Sequence, residues 1–76
     1  MQIVTLYNDW RILDVPMKTR DFEKILNDHG FEAIRQAGSH RTYYNQVTKR
    51  TVIVPIHSRE VPKGLLHKML KQAGLK

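Results

Sequence analysis

The chain contains no cysteine. That excludes a disulfide framework, a thiolate metal site and a cysteine nucleophile, and it suits a reducing cytosol. Nor does it carry a basic leader followed by an apolar run, or any stretch approaching the ~18 apolar residues of a membrane span. The expected setting is cytoplasmic. Carboxylates are scarce: seven Asp and Glu stand against thirteen Lys and Arg in 76 residues, a formal charge of +6 with pI ≈ 10.0. Such a field draws in polyanions, whether nucleic acid or an acidic protein, although a basic surface that only keeps a small protein in solution fits the charge as well. A chain of this length makes one domain that buries only about 60 % of its unfolded surface, too little to enclose a large cofactor. Also missing are a glycine-rich phosphate loop, paired carboxylates in a shared apolar setting, a Ser-base-acid set and a His-x-x-x-His with a third ligand. Nothing here calls for a metal or a cofactor.

What is present falls into a simple order. Residues 1–16 form an N-terminal extension: Ile3 to Tyr7 is β-like in composition, Pro16 closes the segment, and it reads as an extra edge strand or a loose appendage. The main domain is expected over 17–76. Thr19 as N-cap, Asp21 and Glu23 in the first turn and Gly30 beyond the end predict a helix over Arg20 to His29, with Phe22, Ile25 and Leu26 on its apolar face. His29, in the last turn, complements the helix dipole. Phe31 to Ala37 and His40 to Asn45 read as strands joined by the Gly38-Ser39 turn, and Thr51 to Val54 as a third strand stopped by Pro55. Pro62 opens a second helix, whose stripe of Leu65, Leu66, Met69, Leu70 and Ala73 ends in a Schellman-type Gly74-Leu75. Opposite that stripe Lys63, His67 and Lys71 form a positive ridge, equally a plain solvated face.

Helix, three strands, helix is an α+β pattern: a three-stranded antiparallel sheet with both helices on one face, because two short apolar stripes cannot cover two. The core should hold Phe22, Ile25, Leu26, Val52, Val54, Leu65, Met69 and Leu70. Alternation puts Arg41 with Tyr43 on one side of the second strand and His40, Thr42 and Tyr44 on the other, the open face, together with Thr51 and Ile53.

The chemistry left is histidine beside cations. A free imidazole titrates near pH ~6.5, so it can take the proton of a ribose 2′-hydroxyl whose oxygen then attacks the adjacent phosphodiester, while Lys or Arg stabilises the phosphate. His40, delivered by Gly38-Ser39, is the candidate. Spacing alone leaves it open between that role and a turn-flanking histidine that bonds a neighbour, and favours the second.

From Met17 onward the chain resembles the HicA toxin family of toxin-antitoxin modules. The likeness runs through Met17-Lys18, Gly30-Phe31, Arg35-Gln36, Gly38-Ser39-His40 with Tyr43, Val52 to Pro55 with His57 after it, Lys63-Gly64-Leu65, and Leu70 to Leu75. The resemblance implies a fold similar to a double-stranded-RNA-binding domain, and an activity as a metal-independent mRNA endonuclease that arrests translation with His40 as catalytic histidine. It also implies an inhibitory HicB-type antitoxin that masks the active surface and through which alone the pair meets DNA. Ser39, Arg35, Arg41, Tyr44 and Lys63 are candidate RNA contacts, and His57 a candidate for positioning phosphate. The sixteen leading residues depart from the family pattern, and a cover from Ile3 to Tyr7 over the open face is the expectation for them. The alternative function is a non-catalytic RNA-binding or ribosome-associated module.

Overall fold

The alternation of Thr51, Val52, Ile53 and Val54 decides which side of the sheet is inside: the two valines are fully buried, while Thr51 and Ile53 are exposed. The computed structural model describes residues 17–76. The strand or cover expected over Ile3 to Tyr7 lies outside the described residues. In chain order the elements are β1 (Met17–Lys18), α1 (Thr19–Asp28), β2 (Phe31–Ala37), β3 (His40–Asn45), β4 (Thr51–Pro55), β5 (Glu60–Val61) and α2 (Lys63–Gln72). β2, β3 and β4 form an antiparallel sheet in that order. The expected α+β architecture, helix, three-stranded antiparallel sheet, helix, is what the chain adopts. Among the described residues no helix is long and apolar enough to cross a membrane.

One cluster makes the core. Phe22 and Leu26 from α1, Tyr43, Val52 and Val54 from the sheet, and Leu66, Met69 and Leu70 from α2 with Ala73 at its C-cap pack as buried neighbours. Two expected members, Ile25 and Leu65, are only half-buried. Successive helix positions point about 100° apart, and α2 is turned so that Leu66 with Met69, Leu70 and Ala73 faces the sheet, leaving Leu65 on the shoulder of the cluster. Phe31 is buried at the start of β2, but the rest of that strand is exposed. An edge strand has one partner, and this one also bulges between Ala33 and Arg35, leaving Ile34 out of register and 60 % exposed.

Two further elements were not anticipated from the sequence. β1 pairs with β5, Met17 opposite Val61 and Lys18 opposite Glu60, in strands too short to show any periodicity. Thr19 does not cap its helix through its side chain; it is the first helical residue, buried, and its hydroxyl donates to the Ser58 carbonyl at 2.7 Å while its N–H donates to the Arg59 carbonyl at 2.8 Å. The start of α1 is thereby stitched to the segment between β4 and β5. Both helices begin at this end of the molecule, beside the β2–β3 turn.

The far end of α1 is closed by Gly30, whose φ of +89° is in the left-handed region. The His29 Nδ1 donates to the Ile25 carbonyl, one turn back, at 2.8 Å. Asn45, 4 % exposed, donates to the His29 carbonyl at 2.9 Å and accepts from the Val47 and Thr48 N–H groups at 2.8 and 3.0 Å. One amide therefore ties the helix end to the following loop. A Cβ at Gly30 would sit 3.2 Å from Asn45 Nδ2. Gly30→Ala is expected to cost about 1–2 kcal/mol, the penalty of a left-handed L-residue, which urea unfolding at neutral pH measures directly. At the other terminus the Schellman bonds are made: Leu75 N–H to the Leu70 carbonyl at 2.9 Å and Gly74 N–H to that of Lys71 at 3.0 Å.

Candidate functional site

Gly38 has φ +59°, and no other residue of the β2–β3 connection is left-handed. Positive φ at the first of two central residues is the type II′ hairpin pattern, whose twist matches the strands it joins. The turn closes on the pair Ala37 and His40. His40 is thus the first residue of β3, exposed, with Pro55 of β4 on its other side. The Ser39 carbonyl accepts the Ile56 N–H at 2.7 Å, which fastens the turn to the chain leaving β4.

The register places the sequence candidates. On the open face Arg35 lies opposite Thr42, and Thr42 opposite Ile53; Tyr44 stands between Glu32 and Thr51. Arg35 is the diagonal neighbour of His40, about 7–8 Å away backbone to backbone and within reach of a long side chain. Tyr44, half-buried, is four residues along the strand, about 13 Å from His40. His40, Arg35 and Tyr44 therefore share one surface, and Ser39 supports it from the half-buried turn. Lys63, exposed, opens α2 at the same end of the molecule.

Arg41 lies on the opposite face. Its Nη1 donates to Glu23 Oε2 at 2.7 Å, and its Nε and Nη2 donate to Gln36 Oε1 at 3.2 and 3.0 Å. The Tyr43 hydroxyl donates to the same Glu23 oxygen at 2.8 Å. This four-residue network joins α1, β2 and β3 directly beneath the turn, so its effect on His40 is to brace the hairpin that carries it. Glu23 read in the sequence as a dipole-complementing carboxylate. The signal for its second role was there: alternation puts Arg41 on the core side with Tyr43, and a charge facing a core requires a partner.

Burial raises the Tyr43 hydroxyl above its ordinary value of 10.0, and the bond to Glu23 raises it further, against a smaller opposing effect of Arg41. A group raised on folding contributes stability that is complete below its ordinary value and lost as pH climbs through the raised one. Tyr43→Phe removes the hydroxyl's bond to Glu23 and should cost about 1.5–3 kcal/mol at neutral pH, the range for a hydrogen bond to a charged group. Its deficit against the parent should shrink above pH 10.0. Urea midpoints of both chains across that range test it.

Beside the turn lies a groove of about 520 Å³ between the start of α1 and the β4–β5 segment. His57, exposed, lines it two residues beyond Pro55. Among the described residues no three His, Asp or Glu side chains are grouped as metal ligands would be. No curated protein matches this chain. Residues 19–75 match the family described as the HicA toxin of bacterial toxin-antitoxin modules. That span is three quarters of the chain and takes in α1, the Gly38-Ser39-His40 turn, the open face and α2 with its closing Gly74-Leu75, so the protein belongs to the HicA toxin family.

Proposed function

We propose that this toxin is a metal-independent endoribonuclease that cuts mRNA and arrests translation, with His40 as its general base. The observation that supports the reading is the placement of His40, exposed on a sheet face that none of the described residues covers, on a hairpin braced from below, with Arg35 in diagonal reach. A ring nitrogen takes the proton of a ribose 2′-hydroxyl, and the 2′-oxygen attacks the adjacent phosphorus. The bond from phosphorus to the 5′-oxygen breaks and that oxygen takes up a proton. The products are a 2′,3′-cyclic phosphate and a 5′-hydroxyl. Arg35 stabilises the charge gathering on the phosphate oxygens, and Tyr44 offers a ring for a base to stack on, worth roughly 1–3 kcal/mol. The chain's positive charge suits an acidic antitoxin of the HicB type that covers this face, with DNA met only through that partner, in the cytoplasm.

The test is induction of the wild-type chain and His40→Ala at equal levels, following growth and total mRNA integrity. Growth arrest with fragmented mRNA in the wild type alone is the expected result. Arrest by both with intact mRNA would replace the nuclease reading by that of an RNA-binding or ribosome-associated module.

A further inference from the structure

The groove beside the turn is not used by the chemistry at His40. Lys18, Arg20, Arg41 and Arg59 line it against two carboxylates, Glu23 and Glu60. Glu23 is already engaged by Arg41 and Tyr43, which leaves Lys18, Arg20 and Arg59, all exposed, against Glu60, the cross-strand partner of Lys18, so the lining keeps a net positive excess. A concave surface with a net excess of one sign of charge focuses field more strongly than the same charges on a convex one. Its 520 Å³ is in the roughly 300–1,000 Å³ range of sites that take a small ligand unit such as a nucleotide. It is also joined to the catalytic turn: its wall at Ile56 is bonded to the Ser39 carbonyl at 2.7 Å, and Pro55, one residue earlier, is the cross-strand neighbour of His40. An RNA strand with a phosphate at His40 has two ways onward, along the open sheet face toward Tyr44 or over the end of the sheet into this groove.

We infer that the groove holds backbone phosphates of the RNA strand on one side of the bond that His40 cleaves, with Lys18, Arg20 and Arg59 as the contacting cations and the sheet face toward Tyr44 taking the other side. This rests on the nuclease reading and adds a second, sequence-independent subsite to it. Phosphate contacts hold register and carry no base information, so the groove sets how tightly RNA is held, while the open face is where bases are met.

The experiment uses the full chain carrying His40→Ala, which does not consume the probe, and a single-stranded RNA of mixed sequence, roughly 12 nucleotides long to span a site of this size. Fluorescence anisotropy between about 50 and 200 mM salt gives the slope of log affinity against log salt. Arg20→Gln and Arg59→Gln, each added to that background, should flatten the slope by about 0.7, and the double substitution by about 1.4, one phosphate contact each. Lys24→Gln, on a residue outside the groove that pairs with Asp28 at 3.6 Å, should leave the slope unchanged. Both arginines are exposed, and circular dichroism of the double variant checks that the fold is kept. If the parent binds RNA and the groove variants keep its slope, or Lys24→Gln lowers it equally, the groove assignment falls while the nuclease reading stands. Unchanged RNA binding with lost affinity for poly-glutamate overturns it in favour of an acidic polypeptide as occupant. If the parent binds no RNA and the wild-type chain cuts none, both readings fall together.

Discussion

His40→Ala is expected to slow RNA cutting severely while leaving RNA binding and the fold in place. A positioned acid-base group contributes about 10² to 10⁴-fold, so single-turnover cleavage by the purified chain should fall by that factor. The size of the effect is informative because stability should hardly move. His40 is exposed and its side chain makes no hydrogen bond among the described residues, and substitutions at such positions stay within about 0.5 kcal/mol. The hairpin does not need the imidazole: Gly38 supplies the turn conformation, and the Ser39 carbonyl and the Arg41–Gln36 contacts supply the anchors. Cleavage lost with an unchanged urea midpoint places His40 in the chemistry. Cleavage retained within a factor of about ten, well below the acid-base range, removes it.

Phe22→Ala has the opposite signature, loss of fold and with it loss of every activity. Phe22 is 0 % exposed, on the face of α1 that meets the sheet and α2. Truncating a buried phenylalanine costs about 3–5 kcal/mol, a transfer loss plus the cavity left behind. A domain the size of the described one has a total stability of only roughly 3–9 kcal/mol at about 0.05–0.15 kcal/mol per residue. Far-UV circular dichroism at 25 °C should therefore show a chain partly or wholly unfolded, and urea titration a midpoint near zero. Ile53→Ala is the useful contrast, because that side chain is 50 % exposed on the open face. A Phe22→Ala chain within about 1 kcal/mol of the wild type would mean the core is centred elsewhere, since a loss that small is far below the cavity range.

β3 and β4 were legible because a half-buried strand writes its two faces in alternation: His40, Thr42 and Tyr44 against Arg41 and Tyr43, Thr51 and Ile53 against Val52 and Val54. Both helices were legible within a residue or so from their stripes and from the glycines that end them. The choice between Leu65 and Leu66 was not, because a stripe shows that a helix has an inner face but not how far it is rotated on its partner. Glu23 illustrates the same limit for charges: its position in the first turn is satisfied by the helix dipole, and only the approach of β3 supplies Arg41 and Tyr43 as its partners.

The amino-acid sequence by itself determined the order of elements, the buried side of the sheet, the turn that presents His40, the positive field and the family. The first four rest on local rules, namely periodicity, the conformational preferences of glycine and proline, and net charge; the family rests on the order of matching motifs over residues 19–75. The tertiary structure decided what depends on residues far apart in the chain. It sent Arg41 to Glu23 and left Arg35 beside His40, turned Thr19 from a helix cap into a clasp on the Ser58 and Arg59 carbonyls, and paired Met17–Lys18 with Glu60–Val61. These contacts gather Lys18, Arg20 and Arg59 around one groove. Nothing in the spacing of positions 18 and 20 against 59 marks them as neighbours, because their proximity is a property of the β1–β5 pairing and the Thr19–Arg59 contact and not of any single segment.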